Sequence, residues 1–149
     1  MADLYTLNII LADDDEDDRE FFSNSVKKSQ AQINLVSFEN GERLLDYLSS
    51  SPQPKPDGLL LDINMPRING FECLKKIRES EAWKNLPIAM YTTSKSEDDI
   101  NLAFSLGANR YICKPHHLKM LSDIVDYVSN PNQWATVPKS VNEFVYRGK

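Results

Sequence analysis

Residues 59–72 read LLLDINMPRINGFE. Leu59–Leu61 is apolar throughout and has the length of a buried strand, and it runs straight into a carboxylate, Asp62. Beyond it, Phe71, Leu74 and Ile77 recur at helical spacing. The segment therefore reads as a buried strand, an acid at its end, a loop and an amphipathic helix.

The same unit recurs on either side. Apolar runs stand at Leu7–Ala12, Ile33–Phe38, Ile88–Tyr91 and Tyr111–Cys113. Between and after them lie helical faces: Phe21, Phe22, Ser25 and Val26; Leu44, Leu45 and Leu48; Ile100, Ala103 and Phe104; Leu118, Leu121, Ile124, Val125 and Val128. Five strands alternating with five helices predict an α/β fold, a doubly wound parallel sheet with helices on both faces. Ile33, Leu35 and the outlying Ser37 alternate in part, which suits an edge strand, whereas Leu59–Leu61 belongs in the centre. Ser94 and Glu97 form a capping-box pattern with Asp98 and Asp99 in the first turn, and Pro115 suits a first helical position. Residues 49–58, with three prolines, make a loop. The pattern covers 1–130. The remaining residues, 131–149, are too few for a second domain and are expected to form an appended tail.

The chain has 149 residues, 41% hydrophobic and 26% charged, enough for one core without disulfides. No apolar run is long enough to cross a bilayer, and the first six residues lack a signal-peptide pattern, so a cytoplasmic protein is expected. The net charge of −5 is local: residues 13–18 are all acidic, and the rest of the chain is nearly neutral. An acidic patch calls for a cation, and no basic footprint for nucleic acid is present. Cys73 and Cys113 form no C-x-x-C pair and read as reduced core thiols.

In a parallel sheet with right-handed crossovers all strands end on one rim, where ligands bind. Asp13 and Asp14 follow the first run, Asp62 the third, Thr92 the fourth and Lys114 the fifth. Three carboxylates brought together repel one another, and a hard divalent cation resolves the conflict; oxygen-only ligands favour Mg2+. One carboxylate would be the nucleophile, with the metal and the Lys114 ammonium neutralising a transferring phosphoryl group.

The runs ILADDDEDD (10–18), LLLDINMPRINGFE, MYTTS (90–94) and YICKP (111–115) closely resemble a bacterial response-regulator receiver domain, over about residues 7–129. The resemblance implies a flavodoxin-like strand order, 2-1-3-4-5. It implies that Asp62 accepts the phosphoryl group, with Mg2+ held by Asp14, Asp62 and the Asn64 carbonyl and by Asp13 through the metal's water shell. Thr92 and Lys114 would contact the phosphoryl group, and Thr92 and Tyr111 would form the switch. Asn64 and Ser94 match positions that tune dephosphorylation, and Lys114–Pro115 matches a peptide that is cis in the family. A histidine kinase or phosphotransfer protein would be the donor, and helix 4, strand 5 and helix 5 would present the switched surface to a downstream protein. No output domain follows Asn130, so the stand-alone type is implied. No membrane or direct nucleic-acid partner is expected.

Two other functions compete. A haloacid-dehalogenase-type phosphatase also uses an aspartate after a parallel strand, but wants a second aspartate two residues on, where this chain has Asn64. A degenerate receiver that only binds is opposed by the intact motif set. The acids at 15–18 read as a helix start, and His116 and His117 as surface residues. Trp83 is expected to cover the end of the third helix. The tail, with Trp134, Phe144 and Tyr146, is open to homodimer formation, to docking or to being a loosely packed end, and Trp134 reads as an anchor on the domain's own surface or on a partner.

Overall fold

Leu59–Leu61 does lie at the centre. In the computed structural model, which describes residues 6–148, β3 (Gly58–Leu61) is buried at every position and flanked in parallel by β1 (Leu7–Ala12) and β4 (Ile88–Thr92). β2 (Ile33–Phe38) pairs with β1 at one edge, and β5 (Arg110–Cys113) pairs with β4 at the other. The order is 2-1-3-4-5, all parallel. The two-residue alternation of strand side chains divides the core. Ile10, Ala12, Leu59, Leu61, Ile88, Met90 and Tyr111 point to one face, under α2 (Gly41–Ser49), α3 (Gly70–Glu79) and α4 (Glu97–Ser105). Ile9, Leu11, Leu60, Ala89, Tyr91 and Ile112 point to the other, under α1 (Glu16–Lys28) and α5 (Leu118–Val128).

Local chemistry sets the helix boundaries and corrects several expectations. Asp15 caps α1, accepting the Asp18 N–H, and Asn69 with Glu72 completes a capping box on α3. The cap of α4 is Ser96, not Ser94, because the Ser96 hydroxyl is the one that takes the Asp99 N–H. Pro115 precedes α5 rather than opening it; His117 is the cap, its Nδ1 accepting from the Met120 N–H at 3.3 Å. Phe21 and Leu118, which the helical spacing places on apolar faces, are 54% and 71% exposed; α1 and α5 bury Phe22 and Leu121 instead. Lys114–Pro115 is trans; the one cis peptide among the described residues is Gln53–Pro54. Trp83 reaches across to α2, donating its indole N–H to the Leu48 carbonyl at 2.9 Å.

Residues after Asn130 fold back onto the sheet. A short turn, α6 (Pro131–Trp134), buries Trp134 completely on the α1/α5 face, and a second, α7 (Val141–Phe144), buries Phe144 completely on the opposite face. Between them the chain rounds the β5 edge. Arg110, itself buried, donates to the carbonyls of Gln133 and Thr136 and to the Thr136 hydroxyl. Val145 then bridges in parallel to Tyr111, and the Tyr146 N–H donates to the Tyr111 carbonyl at 2.9 Å. An edge strand's unpaired backbone groups invite another chain; here the same chain takes up part of that edge. No helix among the described residues is long and apolar enough to cross a membrane. The first five residues, part of the segment searched for a signal peptide, and Lys149 lie outside the described residues.

Candidate phosphoacceptor site

The ladder that builds the sheet also builds its acidic rim. The Asp62 N–H donates to the Ala12 carbonyl at 2.9 Å and the Asp13 N–H to the Phe38 carbonyl at 3.0 Å, so both acids leave their strands side by side. The Lys114 N–H donates to the Thr92 carbonyl at 2.8 Å, joining the ends of β5 and β4. Carboxylate oxygens of Asp13, Asp14 and Asp62 lie within 4.8 Å of one another, with Asp13 and Asp62 buried and Asp14 exposed. The Lys114 ammonium enters this cluster. Its Nζ is 3.1 Å from Asp62 Oδ2 and 2.9 Å from Asp13 Oδ2.

The electrostatics show what the cluster lacks. Burial raises the Asp13 pKa to about 6, against the lowering effect of the Asp15 N–H and of Lys114. Asp13 Oδ1 accepts the Asp15 N–H, but Oδ2 is buried and accepts no hydrogen bond of good geometry, Lys114 meeting it as an ion pair only. Burial works against the charge on Lys114, yet Asp18, Asp13 and Asp62 outweigh it and hold the ammonium's pKa above the usual lysine value. A buried carboxylate oxygen without a hydrogen-bond donor, in a cluster where three carboxylates share one ammonium, fits a hard divalent cation.

The other expected residues lie on the same rim or behind it. The Asn64 N–H points at Asp62 Oδ1 over 3.4 Å. Thr92 is fully buried, its hydroxyl oxygen accepting the Ser94 N–H at 3.4 Å. Tyr111 is fully buried and donates its hydroxyl to the Ser94 carbonyl at 2.9 Å, tying β5 to the loop before α4. Gly70 closes the acceptor loop tightly: a Cβ there would stand 2.8 Å from Ile63 Cα and closer still to the Asp62 carbonyl oxygen.

A model of the response regulator receiver domain matches residues 9–126. The chain belongs to this family. Rcp1 from Synechocystis sp. (strain ATCC 27184 / PCC 6803 / Kazusa) is 29% identical over 126 residues, 82% of this chain and 86% of that protein. The chemotaxis protein CheY1 of Helicobacter pylori (strain ATCC 700392 / 26695) is 27% identical, covering 85% of this chain and 99% of its own. The crystal structure of the Mn(2+)-bound form of Rcp1 superposes with a TM-score of 0.71 at 29% identity, over 80% of this chain and 88% of that one. That of the phosphorylated cyanobacterial phytochrome response regulator RcpA does so with 0.78 at 27% identity, over 91% and 98%. As a receiver domain the chain is a component of two-component signalling, a switch rather than a conventional enzyme.

Two residues of this receiver domain's rim escaped the sequence reading. Asp18, read only as part of a helix start, directs Oδ2 to Lys114 Nζ at 2.8 Å. Arg19 donates to the Asp13 carbonyl at 2.7 Å. The available signal was position: both fall in the first turn of α1, directly after the acidic strand end.

Proposed function

We propose that Asp62 accepts a phosphoryl group from a histidine kinase or phosphotransfer protein, and that its charge switches the surface formed by α4, β5 and α5 for a downstream protein. The observation that carries this is the Lys114 ammonium held between the buried carboxylates of Asp13 and Asp62 at the strand ends. An Asp62 oxygen forms the new P–O bond as the donor's P–N bond breaks, the electron pair leaving with the imidazole nitrogen. Lys114 is placed to follow the charge from the carboxylate to the phosphoryl oxygens. Asp13, Asp14, Asp62 and the Asn64 carbonyl would hold Mg2+, which supplies positive charge against the transferring group.

A cleft of about 270 Å³ opens beside Lys114, with Phe21 and Leu118 among its lining residues. The route outward starts at Thr92 and Ser94. New contacts from Thr92 to a phosphoryl group would disturb the Ser94 carbonyl that anchors the Tyr111 hydroxyl. Only such differential contacts shift a conformational equilibrium. Because Phe144 and Val145 lie against this part of the sheet, the switched surface includes residues of the tail.

The test is incubation with acetyl phosphate and Mg2+, followed by intact mass spectrometry. Wild-type chain should gain one phosphoryl group and Asp62→Asn none; persistent labelling of Asp62→Asn overturns the assignment. Rapid multiple turnover of p-nitrophenyl phosphate would overturn the switch in favour of a phosphatase.

A further inference from the structure

The family's expected set leaves Asp18 without a role, yet its hydrogen bond to Lys114, at 2.8 Å, is shorter than the 3.1 Å bond from Lys114 to Asp62. An ammonium has three N–H donors. Asp13, Asp18 and Asp62 each bring an oxygen within 3.1 Å of this one; two of its donors are hydrogen-bonded, to Asp18 and Asp62, and it meets Asp13 as an ion pair. A phosphoryl group on Asp62 needs one of those donors.

The three carboxylates are not equivalent in what they can give up. Asp13 is fully buried, and Asp62 carries the phosphoryl group itself. Asp18 retains 32% of its side-chain exposure, so water can replace Lys114 around it. Its backbone is fixed: Asp15 caps the Asp18 N–H, and Asp13 Oδ1 holds the Asp15 N–H in turn. The carboxylate thus stands beside Lys114 as a ready alternative acceptor, and as a negative charge near a group that brings about −1.5 to −2 more.

We propose that Asp18 is a positioning residue that holds the Lys114 ammonium on the α1 side of the site and competes with the phosphoryl group for it, setting how strongly the phosphorylated state is favoured. The proposal rests on Asp62 being the acceptor. Removing the carboxylate frees a donor and one like charge together, so a phosphoryl mimic binds more tightly.

The experiment is a beryllofluoride titration at fixed, saturating Mg2+, followed by 19F NMR. It uses wild type, Asp18→Asn, Asp18→Glu, Lys114→Met and the Asp18→Asn/Lys114→Met pair, raising beryllofluoride until each saturates. Asp18→Asn should tighten binding about threefold, the size of a partly exposed charge pair. Asp18→Glu, which keeps the charge, should return most of the way to wild type. In the Lys114→Met background the gain from Asp18→Asn should shrink to the part that comes from removing a like charge, whereas a merely structural effect on α1 would persist there in full. Unchanged or weaker binding by Asp18→Asn, or an equal gain in both backgrounds, overturns the proposal while leaving Asp62 as acceptor. Failure of the wild type to bind beryllofluoride overturns both.

Discussion

Phe144 meets Phe104 edge to face, ring centroids 5.3 Å apart and planes at 68°, so the tail and α4 share one apolar contact. Phe144 also lies 6.1 Å from the Tyr111 ring and is fully buried. Phe144→Ala should therefore behave as a core truncation, lowering the free energy of urea unfolding by about 3–5 kcal/mol. A loss under about 1 kcal/mol would show that residues 141–146 unfold separately from the sheet.

Gly58 tests the other half of the tail. A Cβ at this position would stand 2.6 Å from Trp134 Cη2 and 3.2 Å from Ile9 Cδ1, at the start of β3. Gly58→Ala should displace the Trp134 ring and cost about 1–3 kcal/mol by overpacking. In a Trp83→Phe background, Trp134 is the remaining tryptophan. Its emission should move to longer wavelength in Gly58→Ala, and an unshifted spectrum would refute the contact.

These two contacts mark where the sequence stopped being legible. The strands, with Leu59–Leu61 in the centre and Ile33–Phe38 at an edge, followed from their apolar runs, because strand burial leaves a local signature, while the full order followed from the family resemblance. The rim acids followed because parallel topology forces strand ends together. The tail left a weaker trace: Trp134 reads as an anchor without a stated partner and Phe144 sits beside Val145 and Tyr146, but their burial depends on rounding the β5 edge, which no periodicity encodes. Asp18 was hidden for a different reason. An acid in the first turn of a helix has a sufficient local explanation in the helix dipole, and only the fold brings Lys114, 96 residues away, within 2.8 Å.

Tyr111 links the tail to the site. Its hydroxyl donates to the Ser94 carbonyl from a fully buried position, and burial pushes its pKa up to about 12. Tyr111→Phe should destabilise the chain by about 1 kcal/mol through loss of that hydrogen bond. Amide exchange should quicken at residues 93–96, where the loop loses its anchor. Unchanged exchange there would mean that Tyr111 does not restrain the loop before α4.

Asp13 makes the site sensitive to pH in a direction that can be worked out. Its pKa in the folded chain is about 6, above its ordinary 3.8, because burial disfavours the carboxylate. A raised folded pKa contributes stability that is complete below about 4 and is lost as pH rises through about 6. Without Mg2+, the wild-type chain should therefore lose stability relative to Asp13→Asn across that window, by an amount on the order of 3 kcal/mol. The charged carboxylate is also the form that holds a cation, so Mg2+ binding and proton binding at Asp13 oppose one another. The rise in Tm on adding Mg2+ should be large at pH 7.5 and fall steeply below pH 6, and Asp13→Asn should show little rise at either pH. Thermal unfolding with EDTA and with Mg2+ at both pH values measures this directly. An equal Mg2+ effect at pH 5 and pH 7.5 would mean that the buried carboxylate beside Lys114 takes no part in holding the metal.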